Sequence, residues 1–126
     1  MKQIIHTEKA PKAIGPYSQA NVIDRLIFTS GQLPLNPETM KMPEDIKAQA
    51  RQSLENLKHI LEASGSSLKK VVKTTCYLAD MGHFAAFNEV YTEFFGTEGA
   101  PARSCFQVAR LPMDALVEIE AIAYKI

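Results

Sequence analysis

An α+β sandwich, with two helices against one face of a mixed sheet, is the fold class that three features of this 126-residue sequence predict. Short β-prone runs open and close the chain, two amphipathic segments each follow such a run, and a strongly alternating run separates the two segments. The resulting order is ββαβαββ, with a short strand at Ile4 in front, and residues 1–126 are expected to form one domain.

Residues 17–23 and 26–30 read as the first two strands, and Asp24-Arg25 between them has the length of a two-residue hairpin connection. Over residues 45–64 the apolar positions Ile46, Ala50, Leu54, Leu57, Ile60 and Leu61 recur in steps of three and four, leaving Lys47, Arg51, Glu55 and Glu62 toward water. Gly65 supplies the stop. Residues 71–79 alternate as a strand should, with Val72, Thr74, Cys76 and Leu78 on one face and Val71, Lys73, Thr75 and Tyr77 on the other.

Asp80 is placed to cap a second helix, whose stripe of Phe84, Phe87, Tyr91 and Phe94 ends at Gly96 and reads as packing against the sheet. Residues 103–108 and 116–125 complete the sheet, joined around Pro112. In the last strand neither Val117, Ile119, Ala121 and Ala123 nor Leu116, Glu118, Glu120, Ile122 and Tyr124 form a cleanly polar set. Two helices cover only one side of a sheet, so the other is expected to meet another subunit.

Composition excludes several functions. Leu, Ile, Val and Phe number 32, ample for a core, and 14 Lys plus Arg balance 14 Asp plus Glu. A net charge of zero gives no electrostatic footprint for nucleic acid or an anionic membrane. No apolar run has the roughly 18 residues of a membrane span, and the start lacks a signal-peptide core, so a cytoplasmic location is expected. Cys76 and Cys105 have no C-x-x-C spacing and read as reduced thiols, Cys76 as core. His6, His59 and His83 share no ligand spacing, and no phosphate-binding or nucleophile-elbow motif occurs. Ser18, Ser30 and Ser104 read as turn or strand residues.

Two charged residues stand out. Arg103 opens the apolar run Ser104-Cys105-Phe106, where its planar fork is suited to a small carboxylate, the alternative being a surface ion pair. Glu118 sits between Val117 and Ile119, where burial would raise its pKa and fit it to handle a water. Its alternative is a structural ion pair with Arg103, Arg110 or Lys73.

Five stretches carry a resemblance that spans nearly the whole chain: Ile14-Gly15-Pro16-Tyr17-Ser18-Gln19-Ala20, Thr29-Ser30-Gly31-Gln32-Leu33-Pro34, Gln49-Ala50-Arg51-Gln52-Ser53-Leu54-Glu55-Asn56-Leu57, Pro101-Ala102-Arg103-Ser104 and Val117-Glu118-Ile119-Glu120-Ala121-Ile122-Ala123. In these the sequence resembles the RidA/YjgF/L-PSP family. The resemblance implies a chorismate-mutase-like sandwich assembled as a homotrimer with ligand clefts between subunits. It also implies hydrolysis of reactive 2-imino acids, released by PLP-dependent dehydratases, to 2-keto acids and ammonia, with no metal or organic cofactor.

By the same resemblance Arg103 binds the substrate carboxylate and Glu118 positions water, while Tyr17, Ser30, Gly31, Asn88 and the Cys105 backbone line the cleft. Two stretches depart from the family pattern. Thr97-Glu98-Gly99-Ala100 stands where an aromatic residue is common, which alters the cleft rim. Asn36-Pro37-Glu38-Thr39-Met40 replaces an Asn-Pro-x-Thr-Gly turn, a change expected to affect a loop rather than the chemistry. A carboxylate-sensing regulatory protein is the alternative function, and an endoribonuclease, disfavoured by the charge balance and the absence of a His pair, a more distant one.

Overall fold

The computed structural model describes all 126 residues. Six strands form one mixed sheet in the order β1-β2-β3-β6-β4-β5: β1 is Gln3–Ile5, β2 Ala20–Ile23, β3 Leu26–Thr29, β4 Val71–Leu78, β5 Ala102–Gln107 and β6 Val117–Tyr124. All neighbours pair antiparallel except β4 and β5, which run parallel because helix α2 (Phe84–Phe95) crosses over between them. The expected order of elements along the chain holds, including the short strand at Ile4.

The hairpin turns through Asp24 and Arg25 as expected, with Ile23 opposite Leu26 and Asp24 at φ +53. Residues 17–19, expected as strand, are loop. The side-chain amide of Gln19 is consumed by the loop itself, donating to the carbonyls of Thr7, Ala10 and Pro11 while its oxygen accepts from the Thr7 N–H. β2 therefore starts only at Ala20.

Helix α1 (Ile46–Ala63) is capped by Asp45, whose carboxylate accepts from the Ala48 N–H at 2.7 Å. Its Ala50, Leu54, Leu57, Ile60 and Leu61 are fully buried against the sheet, each large side chain contributing about 1.5–3 kcal/mol of burial. Asp80 does not cap α2. It caps a preceding 3-10 turn, Met81–His83, by accepting from the Gly82 N–H, and α2 begins three residues later than the sequence suggests.

In β4 a bulge between Val71 and Lys73 reverses the first two side chains, so Val71 is buried and Val72 exposed. From Thr74 onward the expected face holds. Thr74, Cys76 and Leu78, with Val117, Ile119, Ala121 and Ala123 of β6, meet α1 and α2. The opposite face carries Glu118, Glu120 and Ile122 with the exposed Phe28 and Tyr124, and no element of the chain covers it. No helix is long and apolar enough to cross a membrane.

Candidate functional site

Arg103 and Glu118 lie on opposite faces of the sheet. Arg103 is paired in register with Thr74 of β4, whose hydroxyl bonds Tyr91 of α2 at 2.7 Å, so it points to the helix side. Glu118 alternates with the fully buried Val117 and Ile119 and points to the uncovered side. Two strand spacings, about 10 Å, also separate β6 from β5 across β4. One small molecule cannot reach both residues within a single chain.

The Glu118 half is a pocket of about 520 Å³ in which Tyr17, Ser30, Gly31 and Glu118 meet. Its back wall is pinned by a bridge in which the Gln32 N–H donates to the Ile119 carbonyl at 2.8 Å and the Ile119 N–H to the Gln32 carbonyl at 3.3 Å. That bridge holds Gly31 over the carboxylate so closely that a Cβ there would lie 2.7 Å from Glu118 Oε2. Glycine is required for this approach rather than for backbone conformation.

The Tyr17 oxygen accepts from the Ile14 N–H at 3.2 Å, which leaves its O–H free to donate. The Ser30 hydroxyl donates to the Ser18 carbonyl at 2.5 Å, which leaves its lone pairs free to accept. Neither Arg103, Arg110 nor Lys73 pairs with Glu118: Arg110 bonds Asp114, and Lys73 donates to Ser104 Oγ at 2.9 Å. Burial, and secondarily the charge of Glu120, raise the Glu118 pKa above its ordinary 4.5.

The Arg103 half is built from strand and helix. Arg103 Nη1 donates to Asn88 Oδ1 at 2.7 Å, and its guanidinium lies 4.6 Å from the Tyr91 ring centre and 5.4 Å from that of Phe84. No carboxylate of the chain pairs with it. The expected alternative, a surface ion pair, is absent, and the fork keeps donors for an external acid. Cys105, two residues on, is half-buried beside it, and burial raises its thiol pKa against the opposing influence of Arg103. Cys76 is fully buried, its thiol pushed up to about 12 by burial, and serves as core.

Two parts of the site escaped sequence reading. The period of Phe84 and Tyr91 predicts packing alone, yet the stripe that packs on the sheet also shelves the guanidinium, and nothing in its 3.6-residue period separates these tasks. Met40 and Met113 line the Glu118 pocket from distant loops, and no spacing reveals it.

Residues 7–125 match the family described as Endoribonuclease L-PSP. The chain is 57% identical to a RutC family protein of Pyrococcus horikoshii and 51% identical to the 2-iminobutanoate/2-iminopropanoate deaminase of Escherichia coli K12, with 99% of both chains covered in each comparison. Its structure is similar to that of the E. coli YjgF gene product, with a TM-score of 0.93 and 50% identity over 98% of this chain and 99% of that one. It is equally similar to E. coli TdcF with bound serine, with a TM-score of 0.94 and 49% identity over the same shares.

Proposed function

The chain belongs to the L-PSP family, and from that premise we propose that it is a deaminase hydrolysing small 2-imino acids to 2-keto acids and ammonia. The observation that carries the reading is the Glu118 carboxylate, unpaired by any cation, half-buried in an apolar pocket that it lines together with two hydroxyls of free hydrogen-bonding capacity. The close relative named 2-iminobutanoate/2-iminopropanoate deaminase supports the reaction. TdcF, whose structure holds serine, supports a small ligand bearing a carboxylate.

The site is completed between subunits. The uncovered sheet face of one copy packs against the next in a homotrimer, setting the Glu118 pocket against Arg103, Asn88 and Cys105 of a neighbour. A guanidinium already oriented by Asn88 and two rings receives the substrate carboxylate bidentately. The C=N carbon of a protonated imine is electrophilic without further activation. Glu118 takes a proton from water as its oxygen bonds to that carbon. Glu118 returns its proton to the carbinolamine nitrogen, and as the C–N bond breaks the hydroxyl O–H gives its proton to the departing ammonia, leaving the 2-keto acid, ammonium and an ionised Glu118. Tyr17 O–H is free to donate to the developing oxygen.

A raised Glu118 pKa suits this exchange, because a weaker carboxylate base returns its proton more readily. The ribonuclease reading finds less support: the net charge is zero, and the Glu118 pocket contains no histidine. The test couples a threonine dehydratase to the protein and follows the transient enamine and imine. Acceleration of their loss that disappears in Arg103→Ala supports the reading. Binding of 2-ketobutyrate without any acceleration would favour a sensor instead.

A further inference from the structure

We propose that Met40 and Met113 determine which substrate side chains the site accepts, forming a pliable wall for an unbranched apolar chain longer than that of a four-carbon imino acid. The inference rests on the deaminase reading of the Glu118 pocket. At about 520 Å³ in the single chain that pocket lies within the roughly 300–1,000 Å³ that encloses drug-sized ligands, more room than a four-carbon acid itself occupies. Of its lining, Ile14, Leu33, Leu35, Met40, Pro112 and Met113 supply an apolar surface, beside the polar Lys12 and Gln32.

The backbone supplies the second observation. Met40 and Met113 both have φ +58, a conformation that glycine adopts freely and that other residues avoid. Each loop is closed by its own bonds. Asn36 Oδ1 accepts from the Glu38 and Thr39 N–H groups and the Met40 N–H donates to the Asn36 carbonyl, while the Asp114 and Ala115 N–H groups donate to the carbonyls of Leu111 and Pro112. A glycine at either place would keep these loops and relax the backbone. It would also remove a thioether from the pocket wall, so both side chains are held there against local preference.

Methionine is the apolar residue best able to fit chains of different length, being unbranched with three rotatable bonds. Met113 is 59% exposed, so its side chain is accessible to a ligand's side chain in the pocket it lines. The Met40 departure, expected to alter only a loop, thereby reaches the cleft.

The test generates imines in situ with an L-amino-acid oxidase, from 2-aminobutanoate with four carbons and from norleucine with six. Semicarbazide trapping reports the surviving imine in the presence of wild type, Met40→Gly, Met113→Gly and Met40→Leu. The expected result is that the six-carbon over four-carbon ratio of kcat/KM falls about tenfold in each glycine variant, chiefly through KM, and recovers in Met40→Leu. Because glycine suits the backbone at both positions, the variants should unfold at temperatures no lower than wild type. An unchanged ratio, with both imines still consumed, would overturn the inference and leave the deaminase reading intact. Failure of wild type to accelerate the loss of either imine would overturn both.

Discussion

The Glu118 and Arg103 regions prepare charged groups in opposite ways. Glu118 is surrounded by loops, is denied a cation, and has its basicity raised by burial beneath Gly31. Arg103 is carried by a strand registered on β4 and braced by α2, with its direction fixed by Asn88 and two aromatic rings. One region tunes a proton affinity and the other fixes a geometry. A chemical group that must change protonation is served by desolvation, whereas one that must only hold a carboxylate is served by rigidity.

The contrast is broken most severely at Glu118. Glu118→Gln keeps the shape and removes the base, and kcat should fall about 10²- to 10⁴-fold. The same variant should be no less stable at neutral pH. Glu118 has a raised folded-state pKa, so the stability linked to it is fully present below its unfolded pKa and is lost as pH rises through the folded value. Unfolding midpoints at pH 7 would check this, and a clear loss of stability would show that the carboxylate has a structural partner.

Arg103→Ala comes next. Loss of a desolvated charge-assisted pair worth roughly 2–5 kcal/mol predicts a kcat/KM reduced about 30-fold to several thousand-fold. A loss below tenfold would remove Arg103 from the mechanism. Gly31→Ala should follow with about a tenfold loss, since its Cβ would press on Glu118 Oε2 at 2.7 Å and displace the carboxylate without removing it. Wild-type stability with unaltered activity would mean that Gly31 can yield without moving Glu118.

The smallest effect concerns pH. If Glu118 acts as a base, the acid limb of the kcat/KM profile should lie above the ordinary 4.5 and vanish in Glu118→Gln. A limb that persists in the variant belongs to another group.

Much of this was legible in the sequence because alternation and the 3.6-residue period report burial directly: β6 buries the set containing Ile119 and Ala121, and α1 buries the set containing Leu54 and Leu57. Asp80 misled because an Asp accepts from a 3-10 turn as readily as from an α-helix. Val71 and Val72 misled because a bulge inverts alternation and leaves no compositional trace. Of the candidate site, Arg103 and Glu118 are visible as charges in apolar strands, and Tyr17, Ser30, Gly31, Asn88 and Cys105 through the family resemblance. That the two charges point to opposite faces follows from register, which single-strand patterns do not specify.

Subunit mixing tests the central claim, that the two regions act together across an interface, most directly. Arg103→Ala and Glu118→Gln chains, each strongly impaired alone, would be unfolded, mixed in equal amounts and refolded together. If each site takes Arg103 from one subunit and Glu118 from its neighbour, random assembly restores about a quarter of wild-type deaminase activity, because about one interface in four then holds both intact residues. If both residues served from the same chain, no mixed assembly would contain an intact site, and activity remaining at the level of the separate variants would contradict the account.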